Sequence, residues 1–157
     1  MNAKPMLPPV EYHVHVSLAP AEAFDLFTRQ IARWWPLRGH SCFGDDAADV
    51  LFEPRVGGAV TELARDGDRM AWGRITEWWP PHAMAMRWHP GLSEAEATLL
   101  RISFTARADG GTDVSVHHSG WEARGDEAAE KRDQYDAGWP ATLAAFGAMA
   151  NDLRSAT

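Results

Sequence analysis

"RMAWGRITEWWPPHAMAMRW" (69–88) contains two apolar-rich runs separated by a proline pair. Neither run reaches helical length with helical spacing. In the first, Trp72 alternates with Gly73 and Ile75. In the second, Met84, Met86 and Trp88 share one face, as alternate residues of a strand do. Pro80-Pro81 ends the first strand because proline brings no backbone donor to a ladder. Adjacent strand residues point opposite ways, so one of Trp78 and Trp79 must face outward.

The same pattern extends in both directions. Upstream, "DVLFEP" (49–54) reaches the turn "RVGG" (55–58), and "AVTELAR" (59–65) meets "DGD" (66–68). Asp66-Gly67 is a strong hairpin signal. Downstream, a loop "HPGLSEAE" (89–96) leads into "ATLLRISFTAR" (97–107), joined by "ADGG" to "TDVSVHHSG" (112–120). Successive strands with short turns predict an antiparallel meander.

The flanks complete the order. "VEYHVHVSL" (10–18) alternates, with Val10, Tyr12, Val14, Val16 and Leu18 on one face and Glu11, His13, His15 and Ser17 on the other. Next, Pro20 suits a first helical position, and Phe24, Phe27, Ile31 and Trp34/Trp35 recur at helical spacing up to Pro36. At the other end, Tyr135, Trp139, Leu143, Phe146, Ala150 and Leu153 step by three and four, predicting a long helix over about 127–154. Pro140 cannot donate to the carbonyl four residues back, which predicts a kink or a helix restart there. A sheet with one apolar face and one amphipathic helix must bury each against the other. If the sheet wraps the helix, the space between them is where a ligand would go.

The 157 residues suit one domain, with 1–9 as a tail and 10–157 folded. A net charge of −7 and no basic run argue against a nucleic-acid partner. Cys42 is the sole cysteine, which excludes an internal disulfide and a paired-cysteine metal site. Residues 1–9 lack the apolar core of a signal peptide, and no stretch approaches the roughly 18 apolar residues of a membrane span. The expectation is therefore a cytoplasmic protein. Eight tryptophans are many for this length; rings of that size either fill a wide core or line an apolar pocket.

Several motifs together carry a family resemblance: "PAEAFDLFT" with "WWP", "FEPRVGGAVTE", "AWGRITEWWPPHAMAMRW", "TDVSVHHSGW" and "YDAGWPATLAAF". Over residues 10–154 the chain resembles the START-like, helix-grip superfamily (SRPBCC), typified by the birch-pollen allergen. Within it, the chain is similar to the branch of homologues of the activator of heat-shock-protein-ninety ATPase. The resemblance implies an α+β fold: a curved antiparallel sheet of about seven strands wrapped around a long C-terminal helix, with one or two short helices after the first strand. It also implies a deep cavity between sheet and helix. Family members mostly bind apolar small molecules, and some are cyclases or lyases.

Strand parity nominates the site. With Val114 and Val116 facing the core, His118 faces inward and His117 outward with Asp113 and Ser115. Glu62 shares a face with Val60. Trp72, Met84, Met86, Trp88 and Phe104 from the sheet, with Trp139, Leu143 and Phe146 from the helix, would make a mostly apolar lining. His118 and Tyr135 are polar groups that could orient a ligand in it. His118, Glu62 and Tyr135 are also the candidate acid–base groups, although His118 could equally be a core histidine satisfied by its neighbours. Outside, His13, His15 and His117 could form a three-histidine metal patch if the first and last strands pair in register; solvated surface histidines are the simpler reading.

Three functions follow, in order of preference. The first is a binder of an apolar or aromatic small molecule, needing no cofactor. The second is a cyclase, dehydratase or hydrolase using His118, Tyr135 or Glu62. The third is a chaperone-regulating or other protein-interaction domain. An outward tryptophan is compatible with a homodimer.

Overall fold

The computed structural model describes residues 6–155; of the tail expected over 1–9, residues 1–5 lie outside the described residues. Strand β1 (Val10–Val16) is followed by helix α1 (Pro20–Phe27) and two single 3-10 turns. Six more strands come next: β2 (Ala47–Phe52), β3 (Ala59–Ala64), β4 (Arg69–Trp79), β5 (Ala83–Trp88), β6 (Thr98–Ala106) and β7 (Thr112–Ser119). A 3-10 segment (Trp121–Glu127) leads into the long helix α2 (Ala128–Ser155). The strands form one sheet in the order β1-β7-β6-β5-β4-β3-β2, every pair antiparallel. The sheet curls into a half-barrel about α2, which is the helix-grip arrangement predicted.

Alternation makes this sheet one-sided. Along β7, Val114, Val116 and His118 are buried while Ser115 and His117 are exposed. The inner face meets α1 where Phe24 packs on Phe104 at 5.0 Å, and α1 meets α2 where Phe27 packs on Phe146 at 5.1 Å, both edge-on. Edge-on pairing aligns the positive rim of one ring with the negative face of another.

Three local features depart from the sequence expectation. First, α1 stops at Phe27, and the helical spacing through Trp34/Trp35 belongs to a separate 3-10 turn, Ile31–Arg33. The Thr28 hydroxyl donates to the Phe24 carbonyl (2.7 Å), offering the backbone an alternative to another helical turn. Trp34 is in the core, donating to the Leu26 carbonyl (2.9 Å), while Trp35 is partly buried and packs against it.

Second, β4 carries an extra residue. Ala71 stands opposite Thr61 and Gly73 opposite Val60, so Trp72 is a bulge. A bulge breaks the period of two, and Trp72 and Ile75 are both buried although three residues apart. The simple alternation of Trp72 against Ile75 is thereby corrected.

Third, α2 runs through Pro140 as one helix, so there is no restart. The Asp136 carbonyl that Pro140 cannot serve accepts instead from the Tyr12 hydroxyl of β1 (3.0 Å).

Candidate functional site

A cleft of about 580 Å³ opens between the inner face of the sheet, the loop 39–42 and the first half of α2. That size suits a drug-sized ligand. Four indoles line it: Trp35 from the segment after α1, Trp72 from the β4 bulge, Trp88 from the end of β5, and Trp139 from α2. Their rings nest around Trp35, with centroids at 5.1 Å to Trp72, 5.9 Å to Trp88 and 6.1 Å to Trp139. Gly73 makes this nesting feasible, since a Cβ there would lie 2.1 Å from the Arg87 carbonyl oxygen.

Every indole N–H in this group is used within the protein. Trp35 donates to the His40 carbonyl (2.7 Å), Trp72 to the Glu62 carboxylate (2.8 Å), Trp88 to the Tyr135 hydroxyl (2.9 Å) and Trp139 to His118 Nδ1 (3.1 Å). The donors fix the ring orientations and leave apolar ring surface to the cleft.

Two buried polar residues stand behind this wall. Glu62 is fully buried. Besides Trp72, its carboxylate accepts from the backbone N–H groups of Cys42 (2.7 Å) and Phe43 (2.9 Å). It thereby ties the loop 39–42, one side of the cleft, to the sheet. His118, also fully buried, takes part in a directed chain. An indole only donates, so Nδ1 is the acceptor and the proton sits on Nε2. Nε2–H then donates to the Thr98 hydroxyl (2.7 Å), which donates to the Trp88 carbonyl (3.1 Å). Burial pulls His118 down to about 3, with the Arg124 guanidinium and His117 adding to the effect. At neutral pH it is an uncharged link holding Trp139 to the sheet.

The residues nominated from sequence therefore separate into groups. Trp72, Trp88, Tyr135 and Trp139 line the cleft. Met84 and Met86 border a deeper void of only about 20 Å³. Phe104, Leu143 and Phe146 are buried core residues and line neither space. Of the three candidate acid–base groups, only Tyr135 reaches the cleft; Glu62 and His118 are spent on the contacts above. Burial pushes the Tyr135 phenol up, while the Trp88 N–H and Arg124 act against that.

The sequence reading did not nominate Trp35, His40, Cys42, Arg124 or Lys131, all of which line the cleft. These residues lie outside any strand periodicity.

On the outer face, the β1–β7 register puts His117 opposite Glu11, His13 opposite Ser115 and His15 opposite Asp113. His117 Nδ1 lies 2.9 Å from Glu11 Oε1, and His15 lies between Asp109 (3.5 Å) and Asp113 (3.7 Å). Among the described residues, no group of three potential ligands is placed to hold a metal ion. Trp79 is the outward member of its pair, 60% exposed, while Trp78 packs on Phe24 at 4.9 Å. Among the described residues, no helix is long and apolar enough to cross a membrane.

Comparison with known proteins adds to this geometry. Residues 17–151 match the family described as "Activator of Hsp90 ATPase homolog 1-like protein". No curated protein matches the chain. Among solved structures, the anthrahydroquino-gamma-pyrone synthase Txn09 is 34% identical, with 90% of this chain and 96% of that chain covered and a TM-score of 0.62. A protein from Rhodobacter sphaeroides is 21% identical, covering 95% and 92%, with a TM-score of 0.67. The Aha1 dimer from Colwellia psychrerythraea is 14% identical, covering 90% and 94%, with a TM-score of 0.60. The last two likenesses are likenesses of fold.

Proposed function

Since the chain belongs to the Activator of Hsp90 ATPase homolog 1-like family, within the SRPBCC helix-grip fold, we propose that it binds a planar aromatic small molecule in the cleft between the sheet and α2. The observation that carries this reading is the nest of four indoles with all N–H groups internally satisfied. Such a surface gives ring stacking and apolar burial but few directional hydrogen bonds, so it selects flat, unsaturated ligands over polar ones. The rings are already fixed by Glu62, Tyr135, His118 and the His40 carbonyl. Binding then has little side-chain ordering to oppose it.

A second reading, catalysis on such a ligand, is favoured by one finding: the 34% identical structure is that of a synthase. On this chain Tyr135 is the acid–base candidate with access to the cleft.

The test is a thermal-shift and tryptophan-quenching screen of naphthalene, anthracene and anthraquinone derivatives against saturated ligands of equal volume. A polycyclic aromatic at a hundredfold over its Kd should add about 2.7 kcal/mol of stability, and Trp139→Ala should abolish the gain. Equal stabilisation by saturated ligands, or none by any aromatic, would sink the proposal. Turnover that is lost in Tyr135→Phe while affinity is retained would establish the enzyme over the binder.

A further inference from the structure

The cleft is not uniform. Its indole wall faces a polar end built by the start of α2 and the 3-10 segment before it. Lys131, Tyr135 and Gly138 line the cleft at positions i, i+4 and i+7, one face of the helix. Gly138 leaves that face open beside His40, whose Cε1 would lie 3.4 Å from a Cβ there. Arg124 reaches the same end from the 3-10 segment.

Each of these groups has a donor to offer. The Tyr135 oxygen accepts from Trp88, and among the described residues nothing accepts the phenolic proton in return. Arg124 Nε donates to the Glu96 carbonyl (2.8 Å) and Nη2 to the Trp88 carbonyl (3.5 Å). Those acceptors are uncharged, so they position the guanidinium without neutralising it. Among the described residues, Glu127 is the one carboxylate lining the cleft, set against Arg124 and Lys131. A locally positive lining on a chain of net charge −7 is the exception to its overall field. The buried Glu62 carboxylate lies behind Trp72, where it accepts from that indole and from the Cys42 and Phe43 N–H groups, and it does not line the cleft.

Building on the aromatic-binding proposal, we infer that the Arg124–Lys131–Tyr135 end takes an acidic oxygen of the ligand, so that the cleft selects aromatic acids: flat rings bearing a carboxylate, phenolate or enolate. The rings stack among the indoles, and the oxygen accepts from the phenol and the two cations. Charge-assisted bonds of this kind are stronger than neutral ones and discriminate between otherwise identical ring systems.

The experiment uses a matched pair of probes, anthraquinone-2-carboxylate and anthraquinone-2-carboxamide, titrated by tryptophan quenching with the full chain. The acid should bind about tenfold or more tightly than the amide. Arg124→Gln, Lys131→Gln and Tyr135→Phe should each narrow that ratio by costing the acid more affinity than the amide. Each variant's melting curve verifies folding, and Lys131→Gln, which removes no backbone contact, carries the test if Arg124→Gln unfolds. Equal affinity for acid and amide, or a preference that all three variants retain, overturns this inference and leaves the aromatic-binding proposal standing. Failure of both probes to bind overturns both.

Discussion

The Tyr12 hydroxyl shares its one proton between the main-chain carbonyl of Asp136 (3.0 Å) and its carboxylate (2.8 Å), joining residues 124 apart in sequence. That carbonyl is the one deprived of a helical partner by Pro140. The strand therefore completes the helix at its weakest point, which explains how α2 passes through a proline intact. Tyr12→Phe should destabilise the protein clearly, and by much less in a Pro140→Ala background, where the new N–H serves Asp136. A double-mutant cycle by urea unfolding measures the coupling, and simple additivity would remove the explanation. The bond to Asp136, then burial and the Asp136 charge, raise the Tyr12 phenol. Its protonated form is favoured by folding, so this contribution is complete below about pH 10 and fades as pH rises through the elevated value.

His118 behaves oppositely. Its value falls from 6.5 to about 3, so between those values the unfolded chain binds the proton and the folded one does not. Stability tied to the neutral imidazole is full above pH 6.5 and is lost as pH falls toward 3. The slope from this group approaches about 1.4 kcal/mol per pH unit. Imidazole NMR should show a single neutral Nε2–H tautomer from pH 8 to 5. A His118 titration midpoint near 6 would refute the Trp139–His118–Thr98 chain.

The meander, both flanking elements and the inward turn of His118 were legible because each rests on a period of two or of three and four. What was hidden breaks a period or has none. The extra residue at Trp72 looks like ordinary alternation until its partners across β3 are known. Thr28 ends a helix by a side-chain bond that spacing does not record. Arg124 reaches the cleft through the turn geometry of 121–127, where Gly125 leaves helical dihedrals (φ 56°, ψ −127°). Tyr12–Asp136 is a tertiary contact with no local trace.

Glu62 is expected to govern both the cleft wall and Cys42. Cys42 reaches solvent at the rim, but desolvation on its protein side and the Glu62 carboxylate push its thiol up to about 11. Glu62→Gln keeps the shape, loses the charge and turns an NH₂ toward existing donors, at a cost of about 2–3 kcal/mol. Alkylation of Cys42 by iodoacetamide at pH 8 should be slow in the wild type and faster in the variant. An unchanged rate would dissociate the carboxylate from the thiol.

Two glycines in contact with the site should respond in opposite directions to alanine. At Gly73 a Cβ would lie 2.1 Å from the Arg87 oxygen and 2.8 Å from Met86 Cε. Gly73→Ala should therefore cost about 3 kcal/mol or more. Gly138 is helical, with its nearest neighbour to a Cβ at 3.4 Å. Gly138→Ala should stabilise α2 by about 0.5–1 kcal/mol while narrowing the cleft. Melting curves of the pair decide this, and similar shifts for both would contradict the packing described.

The bulge at Trp72 also limits how the chain can change by descent. Loops absorb a lost or gained residue easily, but this surplus residue lies inside a strand paired on both sides. Removing Gly73 alone would slide the indole into the slot against Arg87, where not even a methyl group fits. Removing Trp72 alone would strand the Glu62 carboxylate beside an empty space. Position 72 is therefore held to an indole that serves Glu62 and position 73 to glycine, two constraints that act on neighbouring residues at once.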